Sequence, residues 1–431
     1  MVRPRSGVPS MTTQQDLRVI PQSRVMVYIG VGILAVGAFT ASWGAVGPIS
    51  DVCLVLALGI ALLHVFFGQL RFITPVWMWI APLGVIICAV GRWFLPVPEN
   101  MLAIRYVATP YVPENLNKAA IWMAALVLVP LTIVAWSAIE PRTPRWVMGS
   151  FIGGVALSAA ISVTDLLQVT SIATSLGYDS NNSRQTGLTD HPNTLGFTCA
   201  ISLPIAIFFM ARRGRVTWIA SRLAIVILLG GVVACGSRGT QFAAPIIILA
   251  TLMSAPERRR AALKNVAITL AVSTAALFVL VETLASNVLG DLFRFSTGGT
   301  GVGDSDAERA ILLKQAINDV ESYPVFGVGL RHIVEAHNIY LQILASGGLV
   351  LGFAMLAYWI GVISSCWQLR ARGSYLGACL LISMLTWLGL GTIENQLTDR
   401  LLYFTVGSVA ALVSVVQSAE KEAYLRGAWL R

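Results

Sequence analysis

SDVCLVLALGIALLHVFF, residues 50 to 67, holds one carboxylate at its start, one histidine near its end and an unbroken apolar run between them. The hydrocarbon core of a bilayer takes about 17 to 25 apolar residues of helix. In lipid, every backbone amide must also find its partner within its own segment. The stretch therefore predicts a helix that crosses a membrane. Working outward, runs of the same kind recur at 25–43, 73–93, 118–139, 146–169, 193–211, 220–236, 239–255, 264–284, 339–367, 374–391 and 400–418, which predicts about 12 spans of bilayer length. Composition agrees: of 431 residues 56% are hydrophobic and 12% charged, with mean hydropathy +0.74, against roughly 25% charged in an ordinary soluble domain. The expectation is an all-α polytopic membrane protein.

Orientation follows from charge, because cytoplasmic connections collect Lys and Arg. The first 24 residues carry Arg3, Arg5, Arg18 and Arg24 without the compact apolar core and small-residue site of a cleaved signal, and read as a retained cytoplasmic tail. With that end inside, the inner segments hold 20 of the 30 Lys and Arg but five of the 21 Asp and Glu. Both termini are thus expected in the cytoplasm, and the net charge of +9 reflects topology. No basic stripe interleaves with aromatics, so a nucleic-acid partner is the poorer explanation. The expected division is a tail at 1–24, nine spans within 25–284, a periplasmic loop at 285–336, three spans within 337–418 and a second tail at 419–431. The six cysteines, Cys53, Cys88, Cys199, Cys235, Cys366 and Cys379, fall in or beside spans with no C-x-x-C pair, so neither a disulfide framework nor a metal site is expected. Trp43, Trp93, Trp136, Trp146, Trp218 and Trp367 sit near span ends, where they read as interfacial anchors.

Three outer connections are long enough to hold a site: 94–117, 170–192 and 285–336. Against the positive-inside trend, the outer side carries Arg92, Arg105, Lys118, Arg184, Arg238, Arg294, Arg309, Lys314, Arg331 and Arg400, each a candidate to hold an anion. The span interiors are almost free of ionisable groups, which disfavours an ion-coupled transporter or a lipid or glycan flippase. In the third connection, STGGTGVGDSD (296–306) is rich in glycine and reads as a flexible tether or lid. It is no phosphate loop, since no G-K-[ST] follows. Ser305 to Glu308 matches the S-x-x-E capping box. It predicts a helix starting there, with Ala310, Leu313, Ile317 and Val320 on one apolar face and Tyr323-Pro324 ending it. Asp304 and Asp306 also fit a D-x-D metal-nucleotide pattern, but acids are equally expected at a helix N-terminus.

Two stretches carry chemistry: SRQTGLTDHPNTLGF (183–197) and YPVFGVGLRHIVEAHNIYLQILASGGLVLG (323–352). Within them lie R-x-x-G-x-x-x-H-P-N at 184–193, P-x-x-G-x-G at 324–329 and H-N-x-Y-L-Q-x-L-x-x-x-G at 337–348, with an S-R pair at 237–238. By these motifs, and by span count and loop placement, the chain resembles the bacterial O-antigen ligase and O-antigen polymerase superfamily.

The resemblance implies a GT-C type membrane glycosyltransferase of the bacterial inner membrane, active at the periplasmic face without metal or cofactor. Its donor would be a glycan on undecaprenyl pyrophosphate and its acceptor the lipid A-core oligosaccharide, both presented in membrane lipid. A polymerase would instead join repeat units to one another, and a third option is a protein-directed O-oligosaccharyl ligase. One large outer loop, where polymerases often show two, favours the ligase.

The residues suit that chemistry. A sugar hydroxyl is a weak nucleophile, and a positioned base contributes about 10² to 10⁴ in rate. His337, at a helix start, is the candidate base, with Asn338 beside it. The departing pyrophosphate gains charge that guanidinium groups stabilise; Arg184, Arg238 and Arg309 are the candidates. His191 and Asn193 are expected to fix the loop carrying Arg184, and His332 to be structural or a peripheral acceptor contact.

Overall fold

The computed structural model describes residues 24–44, 47–67, 73–95, 97, 115–178, 184–212, 214–255, 271, 300–330, 336–394, 396–397 and 399–428. Eight long apolar helices are of membrane-crossing length. These are Gly47–Phe66 (α2), Val76–Phe94 (α3), Lys118–Ile139 (α4), Thr143–Leu166 (α5), Pro192–Met210 (α6), Arg215–Ala234 (α7), Ile339–Ala371 (α10) and the Arg400–Glu420 part of α12 (Arg400–Ala428). Three shorter apolar helices join them: α1 (Arg24–Thr40), α8 (Arg238–Met253) and α11 (Tyr375–Leu390). The polytopic all-α architecture is as expected. Each predicted run has its helix except 264–284, of which residue 271 alone is among the described residues.

Helix α6 is the axis of the bundle. It is apolar on all sides, 89% of its spanning window is buried, and it packs against α5, α7, α8 and α11. A helix without a polar face belongs in an interior. Pro192 opens it at a position where the missing amide costs nothing. Around it, α12 lies on α4 and α5, α10 on α3 and α11, and α1 on α2 and α5. Lipid is as apolar as leucine, so small residues and close backbone approach hold such helices together. At the α1–α5 crossing a Cβ on Gly154 would lie 1.8 Å from the Phe39 carbonyl oxygen, so only glycine permits that crossing.

The helices alternate in direction and separate two ends. At one, Arg372 between α10 and α11 pairs with Glu420 of α12 at 3.1 Å. At the other lie the α1–α2 turn, the segment before α6, the α7–α8 turn, the segment before α10 and the α11–α12 turn. Every described candidate site residue belongs to this second end.

The amphipathic helix exists but starts earlier than expected. Helix α9 runs Thr300–Ser322, so it starts five residues before the Ser305 capping box, and residues 300–306 of the glycine-rich tract are helical rather than a tether. Glycine lowers helix propensity by about 1 kcal/mol but leaves α geometry open, and extending an existing helix avoids the cost of nucleation. The D-x-D acids therefore lie inside the helix and not at its start. Its predicted apolar face divides between the bundle and the outside. Leu313 and Ile317 are 40% and 43% exposed, whereas Ala316 and Asp319 are buried, and Ala316 packs with Val320, Leu341 and Ala345. Leu313 and Ile317 of the stripe face outward, whereas Val320 and the side bearing Ala316 and Asp319 face α10.

Candidate active site

The segment before α6 is built by local hydrogen bonds. The amide of Leu188 donates to Ser158 Oγ of α5 at 2.9 Å, and the amide of Gly44 in the α1–α2 turn donates to the Leu188 carbonyl at 2.9 Å. Thr189 Oγ1 donates to the carbonyls of Thr186 (2.7 Å) and His191 (2.9 Å). His191 is then the N-cap of α6, its Nδ1 accepting from the Asn193 amide at 3.1 Å. A capping nitrogen must be unprotonated. Loss of water around the ring, and then the charges of Arg184, His337 and Arg309, lower its pKa from 6.5 to about 4. Thus three predicted site residues, from the segments before α6 and α10 and from α9, act on a fourth.

Arg184 is held in place by protein. Its Nε donates to the Cys235 carbonyl at 2.8 Å and its guanidinium also bonds Asn193 Oδ1. The side chain passes over Gly236, where a Cβ would sit 3.1 Å from Arg184 Cγ. Arg238, the first residue of α8, is exposed two residues farther on. His191 thus caps α6, and Asn193 is bonded to Arg184.

His337 sits at a strained start of α10. Its φ is +47°, a left-handed conformation uncommon for a residue with a Cβ and of the kind that concentrates at functional sites. Asn338 sets the helix going: Oδ1 accepts from the amides of Tyr340 and Leu341, both at 3.0 Å, while Nδ2 donates to the Thr392 carbonyl at 3.2 Å. The amide of Ile339 adds a 2.8 Å bond to the Gly391 carbonyl. The start of α10 is thereby tied to the end of α11.

The P-x-x-G-x-G turn folds back on α10. Val328 and Gly329 donate to the carbonyls of Ala345 and Ser346, and Leu349 and Val350 donate to those of Pro324 and Val325. This pairing requires a break in α10 at Gly348, with φ +60°, and Gly327 at φ +62°. A Cβ on Gly348 would lie 2.3 Å from the Val325 backbone. Arg92, one of the outer cations, turns out to be an internal clamp: buried, it bonds the carbonyls of Leu95 (2.9 Å) and Gly327 and lies 5.0 Å from the Tyr323 ring centroid. Arg400 is likewise engaged, with Asp51 Oδ1 at 2.8 Å and the Gly47 carbonyl at 3.1 Å. Arg105, Arg294, Arg331 and His332 lie outside the described residues.

His191 and His337 share the wall of a cavity of about 430 Å³, within the roughly 300–1,000 Å³ range of small-molecule sites. Its other walls include Trp43, Asp190, Thr194, Glu394, Gln396, Asp399 and Arg400. Sequence reasoning missed the acids. Glu394, Gln396 and Asp399 fall in a short connection that attracts no attention in a linear reading. Trp43, read as an interfacial anchor, faces this cavity too.

Residues 223–357, from α7 through the first part of α10, match the family described as O-antigen ligase. This stretch is similar to an O-antigen ligase domain. It contains Arg238, Arg309, His337 and Asn338, and it supports placing the chain in the O-antigen ligase/polymerase superfamily, a glycosyltransferase-like membrane family. Arg184, His191 and Asn193 lie before the matched residues. No curated protein matches the chain in sequence.

Proposed function

We propose that the protein is an O-antigen ligase of the bacterial inner membrane. It would transfer glycan from undecaprenyl pyrophosphate to lipid A-core oligosaccharide at the periplasmic face, with both termini in the cytoplasm. The observation that supports this most is that His337 and His191 share one cavity wall, with Arg184 bonded to Asn193 next to it, at the end of the bundle that the charge bias assigns to the outside.

The reaction is a single displacement. His337 takes the proton from the acceptor hydroxyl while its oxygen bonds to the anomeric carbon. The bond from that carbon to the pyrophosphate oxygen breaks, and undecaprenyl pyrophosphate leaves with the electron pair. Arg184, Arg238 and Arg309 stabilise the charge that grows there, a role metal ions play in other transferases. Configuration inverts. His191, kept neutral, adds no charge but fixes the α6 start against which Arg184 is held.

The test is transfer by purified protein with an undecaprenyl pyrophosphate-linked glycan and lipid A-core in EDTA. Ligated product of inverted configuration is expected. Lengthening of the donor without acceptor would instead mark a polymerase, retention of configuration would turn attention to a cavity carboxylate as nucleophile, and absence of any transfer would reject the reading.

A further inference from the structure

The cavity beside His337 has a polar lining rich in acids, with His191, His337 and Arg400 among them. Asp190, Glu394 and Asp399 supply three carboxylates. The one arginine of the lining, Arg400, is neutralised by Asp51. None of Arg184, Arg238 and Arg309 lines it. Three carboxylates in the lining disfavour a pyrophosphate there, because like charges in a confined site cost free energy. A polyprenyl chain would find too few apolar walls.

What fits is a hydroxylated ring. Carboxylates and amides accept and donate to hydroxyls, with charge-assisted bonds the stronger kind. An indole offers an apolar face for the C–H side of a sugar. Trp43 is fixed for this by its Nε1 bond to the Gly154 carbonyl at 3.2 Å, and Gln396 by a 3.1 Å bond from Nε2 to Thr194 Oγ1. Asp190 fills the space above Gly44, where a Cβ would lie 1.4 Å from its Oδ1.

We propose that this cavity is the acceptor subsite, holding a neutral or amino sugar on Trp43 with Asp190, Gln396 and Asp399 on its hydroxyls and His337 at the nucleophilic one. The arginines outside it keep the donor phosphates. The assignment rests on the glycosyl-transfer reading above, and it makes the two substrates separable by residue.

Initial rates are measured with lipid A-core varied at fixed undecaprenyl pyrophosphate-linked glycan, and the reverse. Gln396→Leu and Asp399→Asn are expected to raise the acceptor KM about tenfold, the effect of one lost hydrogen bond to a charged or well-placed group, with the donor KM unchanged. A second readout needs no turnover: Thr194→Cys in a Cys53→Ser background is alkylated with a membrane-impermeant maleimide. Lipid A-core is expected to slow that labelling, and the donor glycan to leave it unaffected. Transfer by the wild type with neither protection nor an acceptor KM effect overturns the assignment, as does protection by donor alone. Protection by lipid A-core without any transfer would refute the ligase reading while the subsite stands.

Discussion

Asn338 couples the fold to the site through three hydrogen bonds, and removing them has a calculable effect. In Asn338→Ala the Tyr340 and Leu341 amides lose their cap, which costs about 1 kcal/mol. The Nδ2 bond to Thr392 is also lost, at about 1 kcal/mol for a neutral hydrogen bond. Together these are about 2 kcal/mol, or roughly a thirtyfold shift in the population of the ordered turn that presents His337. Asn338→Asp keeps the cap but has no donor for the Thr392 carbonyl, so it should lose about half as much, near fivefold. The assay pairs thermal unfolding in detergent with transfer kinetics at saturating donor. The expected order of kcat is wild type, then Asp, then Ala, with melting temperatures following the same order. Equal loss in Asp and Ala would show that the tie to Thr392 dominates. An Ala variant with wild-type kcat and melting temperature would refute the idea that this cap positions His337.

Three further outcomes follow from the same geometry. Gly348→Ala places a Cβ 2.3 Å from the Val325 backbone at φ +60°; it should cost more than about 2 kcal/mol, seen as a lowered melting temperature and lost transfer. His191 has a folded pKa near 4 against 6.5 unfolded, so the unfolded chain takes up the proton first. Its contribution is complete above pH 6.5 and lost as pH falls toward 4, and His191→Asn, a good N-cap that does not titrate, should flatten that part of a melting-temperature profile. Arg184→Lys keeps charge but cannot bond the Cys235 carbonyl and Asn193 together; the donor KM should rise about tenfold or more with the acceptor KM unchanged, in donor-dependence kinetics.

What was legible in the sequence tracks what physics makes local. Spans are runs of one chemistry, and eleven of the twelve runs appear as helices among the described residues. His337 and Asn338 read as a helix start because capping is a matter of neighbouring amides. The bonding of Arg184 to Asn193, nine residues apart in one motif, follows from proximity in sequence. Three things were not legible. The start of α9 lies upstream of its best capping signal, because a helix once nucleated runs through glycines that a local reading counts as breaks. Which side of α9 meets α10 was open as well, because an apolar stripe in a membrane protein finds lipid as good a partner as the core. The acids of the cavity escaped notice because Asp190, Glu394 and Asp399 come from two connections far apart in sequence, joined only when α6 and α12 bring their starts together.

The central claim is that His337 is the base in glycosyl transfer, and the most direct measurement is the single-turnover rate of His337→Ala with bound undecaprenyl pyrophosphate-linked glycan and saturating lipid A-core. The account predicts a protein with near wild-type melting temperature and donor affinity whose transfer step is slower by about 10² to 10⁴. A folded variant that transfers within about threefold of wild type, well short of the contribution expected of a general base, would contradict it.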